Sequence, residues 1–294
     1  MRVSLVVLAD PPPPAAGLDP GSRVTERDAI DLGEGRTALD HLLARMVATR
    51  AHDLVLLTDP ERPLASRRRP GVRTVPGRAD SVAARVLEAA SRPRTSAVVV
   101  VDMASPMLDP ALVDRVIDEH GCDLSAVVST EHPRTFPAGQ SVELIPMAVL
   151  RRLASGAFGQ APAALFDGPQ LGPAASCTAA LHATPAAVTW RPVVHDPDRS
   201  EERLALETEA DVAVLRQLIA DLGPGAPILG WRELMRREPA ARRAAHGSHS
   251  VASADASASA SASVDASADA TVDTTDPVSQ SPTEPTIDRL LTAA

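Results

Sequence analysis

Two arginines four residues apart, Arg23 and Arg27, follow Gly21-Ser22 and a proline run from Pro11 to Pro14. Guanidinium forks neutralise polyphosphates, the backbone amides of Gly21 and Ser22 can add donors, and the prolines hold the preceding loop stiff and extended. The chemistry this suits is triphosphate binding; a solvated basic loop is the plainer alternative. A second set is acidic. Asp102 closes the run "VVVVD" and Glu207 stands in "RLALETEAD", and carboxylate oxygens are ligands for hard cations. Each also has a modest reading, Asp102 as the end of a strand and Glu207 as a carboxylate near a helix start. The third is "HPRTFPAGQSVELI", residues 132–145, where Arg134-Thr135-Phe136-Pro137 and Gly139 specify a turn that enters an alternating Ser-Val-Glu-Leu-Ile run. Unless it is only a stiff hairpin, such a turn is built to hold something.

The elements that must position these residues are legible from hydrophobic spacing. "RVSLVVLA", "DLVLLTD", "SAVVVVD" and "LSAVVST" are short continuous apolar runs, read as buried strands, and "QSVELIP" alternates as a strand nearer a sheet edge does. "TALDHLLARMVAT" repeats apolar residues at Leu39, Leu42, Leu43, Met46 and Val47, the spacing of an amphipathic helix. "DSVAARVLEAA" starts a helix at Asp80 or Ser81, "DPALVDRVIDEH" has Asp109 as N-cap with Pro110 in first position, and "EADVAVLRQLIADLG" ends at Gly223. Strands alternating with helices predict an α/β fold of three layers, a mostly parallel sheet with helices on both faces. Ligands of such sheets bind beyond the carboxyl ends of the strands.

Composition sets the bounds. The 294 residues are 44% apolar and carry a net charge of −9, which argues against a nucleic-acid partner. Lys, Asn and Tyr, whose codons are AT-rich, are absent. This points to a GC-rich bacterial genome and leaves every basic role to Arg or His. Arg67-Arg68-Arg69, between prolines, reads as a solvated loop. Cys122 and Cys177 show neither a disulfide framework nor metal-ligand spacing. The apolar start before Asp10 is too short for a signal peptide or a membrane span, so a cytoplasmic protein without membrane partners is expected. From Ala244 the chain becomes a Ser/Ala/Asp tract without large apolar periodicity. The expected organisation is therefore a folded domain over residues 1–243 and a disordered tail over 244–294.

Over residues 2–240 the chain resembles the cytidylyltransferases of the spore-coat polysaccharide type, relatives of enzymes that activate acidic sugars with CTP. The family's G-S-T-R-L-P-x-K loop is matched by Gly21-Ser22-Arg23-Val24-Thr25-Glu26-Arg27, with one residue missing and its proline replaced. Its D-L-G-G-K follows as Asp31-Leu32-Gly33-Glu34-Gly35-Arg36. Gly77 to Arg85 is similar to G-x-x-x-D-V-L-x-R, a segment that frames the nucleotide base. "VVVVDMASPMLDP" stands for the G-D-C-P-L-I-D-P strand end, with Ala104 at the metal-binding aspartate and Asp102 two residues earlier. R-T-Y-P-D-G-L-D-V-E reappears as Arg134 to Glu143, with Ala138 and Ser141 replacing both aspartates. R-W-T-V-D-T-P-E-D-L is matched from Arg203, which puts Glu207 at a second metal aspartate. The family's Glu-His pair before a V-T-P-Y run has its nearest counterpart in "ASCTAALHA", with Ala175 and Ser176 there.

The resemblance implies a nucleotide-diphospho-sugar transferase-like fold and transfer of a nucleotidyl group, CMP from CTP, to a sugar-like acceptor with release of pyrophosphate. Gly21, Ser22, Arg23, Arg27, Asp80 and Arg85 would bind the nucleotide, with Arg23 and Arg27 catalytic. Asp102 and Glu207 would share Mg²⁺, and Arg134 with Glu143 would face the acceptor. A homodimer is left open. Two alternatives stand: a catalytically silent nucleotide- or partner-binding protein, favoured by the replaced aspartates, and a guanylyltransferase of similar architecture.

Overall fold

The computed structural model describes residues 1–9, 27–58, 60, 70–78, 81–158, 181–182, 185–223 and 228–245. Seven strands form one sheet: β1 (Val3–Leu8), β2 (Asp53–Thr58), β3 (Val72–Pro76), β4 (Ala97–Asp102), β5 (Val127–Ser129), β6 (Glu143–Pro146) and β7 (Trp190–Pro192), in spatial order β3-β2-β1-β4-β6-β5-β7. The strands β3, β2, β1 and β4 run parallel; β6 is antiparallel to both β4 and β5, and β7 is parallel to β5. The chain leaves β1 to one side for β2 and β3 and to the other for β4. The carboxyl ends of β1 and β4 thus flank a topological switch point, where crevices of open α/β sheets form.

Side chains alternate across each strand, so both faces must be covered. On one face Val3, Leu5, Val7, Val99 and Val101 pack with α1 (Ala38–Met46), α3 (Pro110–Cys122), α5 (Glu209–Leu222) and the helix over 231–245, called α6 here. On the other, Val6, Val55, Leu57, Val98 and Val100 pack with α2 (Val82–Ala90) and α4 (Met147–Ala154). The three-layer expectation is met. The expected caps hold as well: Asp109 accepts from the amide of Ala111 with Pro110 beginning α3, Ser81 caps α2, and Gly223 follows α5 with a φ of 75°. Thr208 and Asp211 form a reciprocal capping box at the start of α5.

The sequence pattern misplaces β6. Alternation suggested an edge, yet β6 lies inside the sheet between β4 and β5, and all four of its residues are buried. The polar member of the alternation, Glu143, is buried too, because it has partners there. β3, α4, β7 and α6 had no strong signal: β3 is a half-exposed edge strand with two polar residues among five, and β7 has only three residues. The 244–294 tail falls outside the described residues apart from Ala244 and Ala245, which close α6.

Candidate functional site

Arg27 opens a short 3-10 turn, Arg27–Ala29, and its Nε and Nη1 are buried without a hydrogen-bond partner among the described residues. Buried guanidinium donors left unpaired are costly unless a ligand meets them. Gly21, Ser22, Arg23 and Asp80 lie outside the described residues. Arg85, on α2, lays its stem over Gly77: a Cβ built at Gly77 would come within 2.7 Å of Arg85 Cδ and 2.9 Å of Leu57 Cδ1. Gly77 follows β3 and donates to the carbonyl of Thr58, so this contact sits at the carboxyl edge of the sheet. Arg85 is thus placed at the carboxyl end of the sheet, beside β2 and β3.

Asp102 ends β4 opposite Leu8 of β1, at the switch point, and is 5% exposed. By strand alternation it shares the face of Val98 and Val100, the α2/α4 side. Its Oδ1 accepts from the amide of Ala104 at 3.1 Å. The Ala104 carbonyl in turn accepts from Leu206 N at 2.8 Å, which fastens the segment carrying Glu207 beside the end of β4. Residue positions 104 and 207 are thus neighbours, and Asp102 stands two residues before Ala104, where β4 gives way to a turn closed by the bond from Ser105 N to Asp102 O at 3.1 Å. Glu207 is half-buried, and its Oε2 accepts from Arg203 Nη2 at 2.9 Å, which also reaches Asp211 at 3.0 Å. The two carboxylates hold the Arg203 guanidinium above its ordinary range although burial opposes its charge. Among the described residues no group of three or more His, Cys, Asp or Glu side chains gathers as a metal cage.

Beyond the carboxyl end of β5 and the amino end of β6 the loop of residues 132–141 is clamped from several sides. Gly139 has a φ of 85°, and a Cβ there would lie 2.6 Å from the backbone carbonyl of Leu204. Ala138 pairs with the segment at 202–204 through both its backbone groups. Gln140, fully buried, accepts from Asp109 N at 3.0 Å and donates to Met107 O at 3.1 Å. Phe136 packs against His195 and Trp231, and the Trp231 amide donates to Asp109 Oδ2 at 2.9 Å. Arg134 is half-buried and donates from Nη2 to Ser200 O at 3.1 Å. Glu143 accepts from Ser129 Oγ at 3.1 Å and meets His182 Nε2 at 2.7 Å. Glu131, half-buried, accepts from Ser141 Oγ at 2.5 Å. His132, His182 and Trp190 bring three rings together over this corner, their centroids 4.8 to 5.8 Å apart.

Burial opposes charge on His182, but the hydrogen bond and charge of Glu143 and the charge of Glu131 together raise its pKa. Burial also pushes Glu131 up, against the Ser141 hydrogen bond and Arg134. Arg134 and Glu143 fall in one corner of the molecule as the sequence reading has it, but Glu143 faces His182 and Ser129. Sequence reasoning missed His182, Glu131 and Trp190. His182 carried no local signal, since its partner Glu143 lies 39 residues earlier in the chain. Leu181, which precedes His182, is fully buried.

No family model matches the chain, and no curated protein matches it. Solved structures do. A cytidylyltransferase from Leptospira borgpetersenii serovar Hardjo-bovis superposes with a TM-score of 0.60 at 17% identity, over 82% of this chain and 95% of its own. The 2-C-methyl-D-erythritol 4-phosphate cytidylyltransferase of Thermus thermophilus gives 0.45 at 22% identity, over 74% of this chain and 98% of its own. The chain has the α/β nucleotidyltransferase-like fold, in the form seen in the Leptospira cytidylyltransferase.

Proposed function

We propose that this protein is a nucleotidyltransferase of the cytidylyltransferase kind, divergent from the spore-coat polysaccharide type, which transfers CMP from CTP to a sugar-like acceptor. The observation that carries this reading is the convergence at the switch point: Asp102 opposite Leu8, the Glu207 segment fastened to Ala104, and the Glu143–His182 pair at the mouth of β6. Arg27 and Arg85, with Gly21, Ser22, Arg23 and Asp80, hold the nucleotide. Arg134 and Glu143 stand on the acceptor side. An acceptor hydroxyl oxygen bonds to the α-phosphorus, the bond from that phosphorus to the bridging oxygen breaks, pyrophosphate leaves, and the hydroxyl proton passes to water. Positioning and charge neutralisation carry such transfers, so Arg23 and Arg27 supply the permanent cations.

Asp102 and Glu207 offer hard oxygen donors, a set that fits Mg²⁺ shared with substrate phosphates better than a metal caged by protein alone. Bound there, the ion would draw charge from the α-phosphate and the departing pyrophosphate. A cytoplasmic enzyme without nucleic-acid or membrane partners is consistent with the charge and with the described helices, none of which is long and apolar enough to cross a membrane.

A specific observation favours a second reading, a catalytically silent nucleotide binder. Ala104 occupies the family's metal-aspartate position directly beside Glu207, and Glu207 is already paired with Arg203. Calorimetry of CTP binding with and without Mg²⁺, with pyrophosphate release followed across sugar acceptors, separates the two. The enzyme reading expects Mg²⁺ to tighten CTP binding about tenfold or more, and Asp102→Ala or Glu207→Ala to remove that gain while leaving the fold intact. Equal binding with and without Mg²⁺, with no pyrophosphate released, leaves the silent binder.

A further inference from the structure

Gln140 is fully buried and joins two segments with separate parts in the proposed reaction. Its Oε1 accepts from Asp109 N at 3.0 Å, and its Nε2 donates to Met107 O at 3.1 Å. Those backbone groups close the segment that begins at Asp102, in which Ser105 N donates to Asp102 O and Leu108 N to Ser105 O, both at 3.1 Å. The main chain of Gln140 belongs to the 132–141 loop. Its amide donates to Pro137 O at 3.0 Å, and its carbonyl accepts from Thr130 Oγ1 at 3.4 Å. Residues 102–110 and 136–140 are buried throughout.

The bridge closes a circuit. Ala138 N donates to Glu202 O at 2.9 Å, Leu204 N to Ala138 O at 2.7 Å, and Leu206 N to Ala104 O at 2.8 Å. From Ala104 the chain runs through Met107 and Asp109 back to Gln140. Asp102 stands beside one point of this circuit, Glu207 beside another, and the loop carries Arg134. The other links are made between backbone groups, so closure depends on the side chain of Gln140. Phe136 also reaches Trp231, whose amide donates to Asp109, but rings meeting edge-on at 5.8 Å set no hydrogen-bond register. A buried amide bonded at both ends is held firmly, because loosening either bond strands a backbone group away from water. Close-packed segments tied in this way transmit a displacement instead of absorbing it.

We propose that Gln140 is a positioning residue that couples the two halves of the site: a nucleotide and its cation taken up at Asp102 and Glu207 order the 132–141 loop through the Gln140 amide. This rests on the reading of Asp102 and Glu207 as the cation-binding end of a nucleotidyltransferase. The resemblance sets the leucine of R-T-Y-P-D-G-L-D-V-E at this position, so the amide link is a departure made by this chain. The coupling is reciprocal, and an acceptor that orders the loop tightens the nucleotide in turn.

Hydrogen exchange on the full chain, with and without CTP and Mg²⁺, tests the coupling. The amides of residues 130–142 are read against those of β1 and β2, whose slowing reports stabilisation by mass action alone. In wild type the loop amides are expected to slow at least about fivefold more than the strands; in Gln140→Met the excess should fall below about twofold, with CTP affinity within about threefold. A bond that served folding alone would speed loop exchange by one factor with and without ligand, leaving the excess at its wild-type value. If the methionine variant melts without cooperativity, Gln140→Leu carries the same expectation. Loop amides that gain no excess protection while CTP is bound, or gain it equally in the variant, overturn the proposal. Failure of calorimetry to detect CTP binding at all overturns the nucleotide reading and the coupling together.

Discussion

At the scale of single residues, the 132–141 loop shows how much depends on one missing Cβ. Gly139 combines a left-handed φ of 85° with backbone contact to Leu204, so an added methyl group must displace main chain, which cannot move as a side-chain tip can. Gly139→Ala is expected to cost more than about 2 kcal/mol, read as a fall in denaturant midpoint with unchanged slope. A loss below half that would mean that the loop yields. Arg134 tests the loop's purpose. Its guanidinium ties the loop to Ser200 and faces the Glu131 carboxylate, so Arg134→Ala is expected to weaken acceptor use while CTP affinity stays within about twofold. Equal loss of both would make the arginine a general structural brace. The sequence marks this loop out as a unit. It did not show that Glu143 would be met by His182, since residues 39 apart in the chain carry no mutual signal.

Among the elements, α3 carries the clearest pH-dependent feature. His120, in its last turn, is fully buried, and burial lowers its pKa, against opposing contributions from Ala126 and Asp123. Above the ordinary histidine range both the folded and unfolded states hold it neutral. Below it, the unfolded chain binds a proton that the folded chain resists, so this residue's contribution to stability is lost as pH falls. His182 has the opposite sign. Its raised pKa stabilises the fold at low pH, and that contribution is lost as pH rises through the folded value. The two overlap in pH, so only a difference measurement separates them. Melting temperatures of His120→Phe and wild type, compared from about pH 8 to pH 5, should move in the variant's favour as pH falls. A constant difference would show that His120 takes up its proton in the folded state as easily as in the unfolded one.

For the whole molecule, stability resides in two cores, one on each face of a seven-stranded sheet, closed on the α1/α3/α5 side by α6. Arg45 ties α1 to the segments that precede α3 and α6. It is buried, donates to the carbonyls of Leu108 and Leu229, and has its pKa lowered to about 10 by desolvation despite the charge of Asp109. The chain beyond residue 246 is rich in Ser, Ala and Asp and lacks periodic large apolar residues. Truncation after residue 246 is therefore expected to leave the melting temperature within about 2 °C and CTP binding unchanged. A larger drop would place part of the folded unit in that tract.

The sequence by itself determined the layers. Continuous valine and leucine runs at β1, β2 and β4, helical spacing in α1, α3 and α5, and caps at Asp109 and Ser81 are local features. They follow from side-chain periodicity and from backbone groups that need partners within a few residues. It also named the end of β4 and the segment of Glu207, which meet through Ala104 and Leu206. The tertiary structure alone decided the rest: that β6 is inserted antiparallel between β4 and β5, that this position buries Glu143 against Ser129 and His182, and that Leu206 joins Ala104. These depend on which distant segments share a hydrogen-bonding edge or a buried charge. Burial raises the cost of an unpaired charge so far that partners are chosen by proximity in space, whatever their separation along the chain.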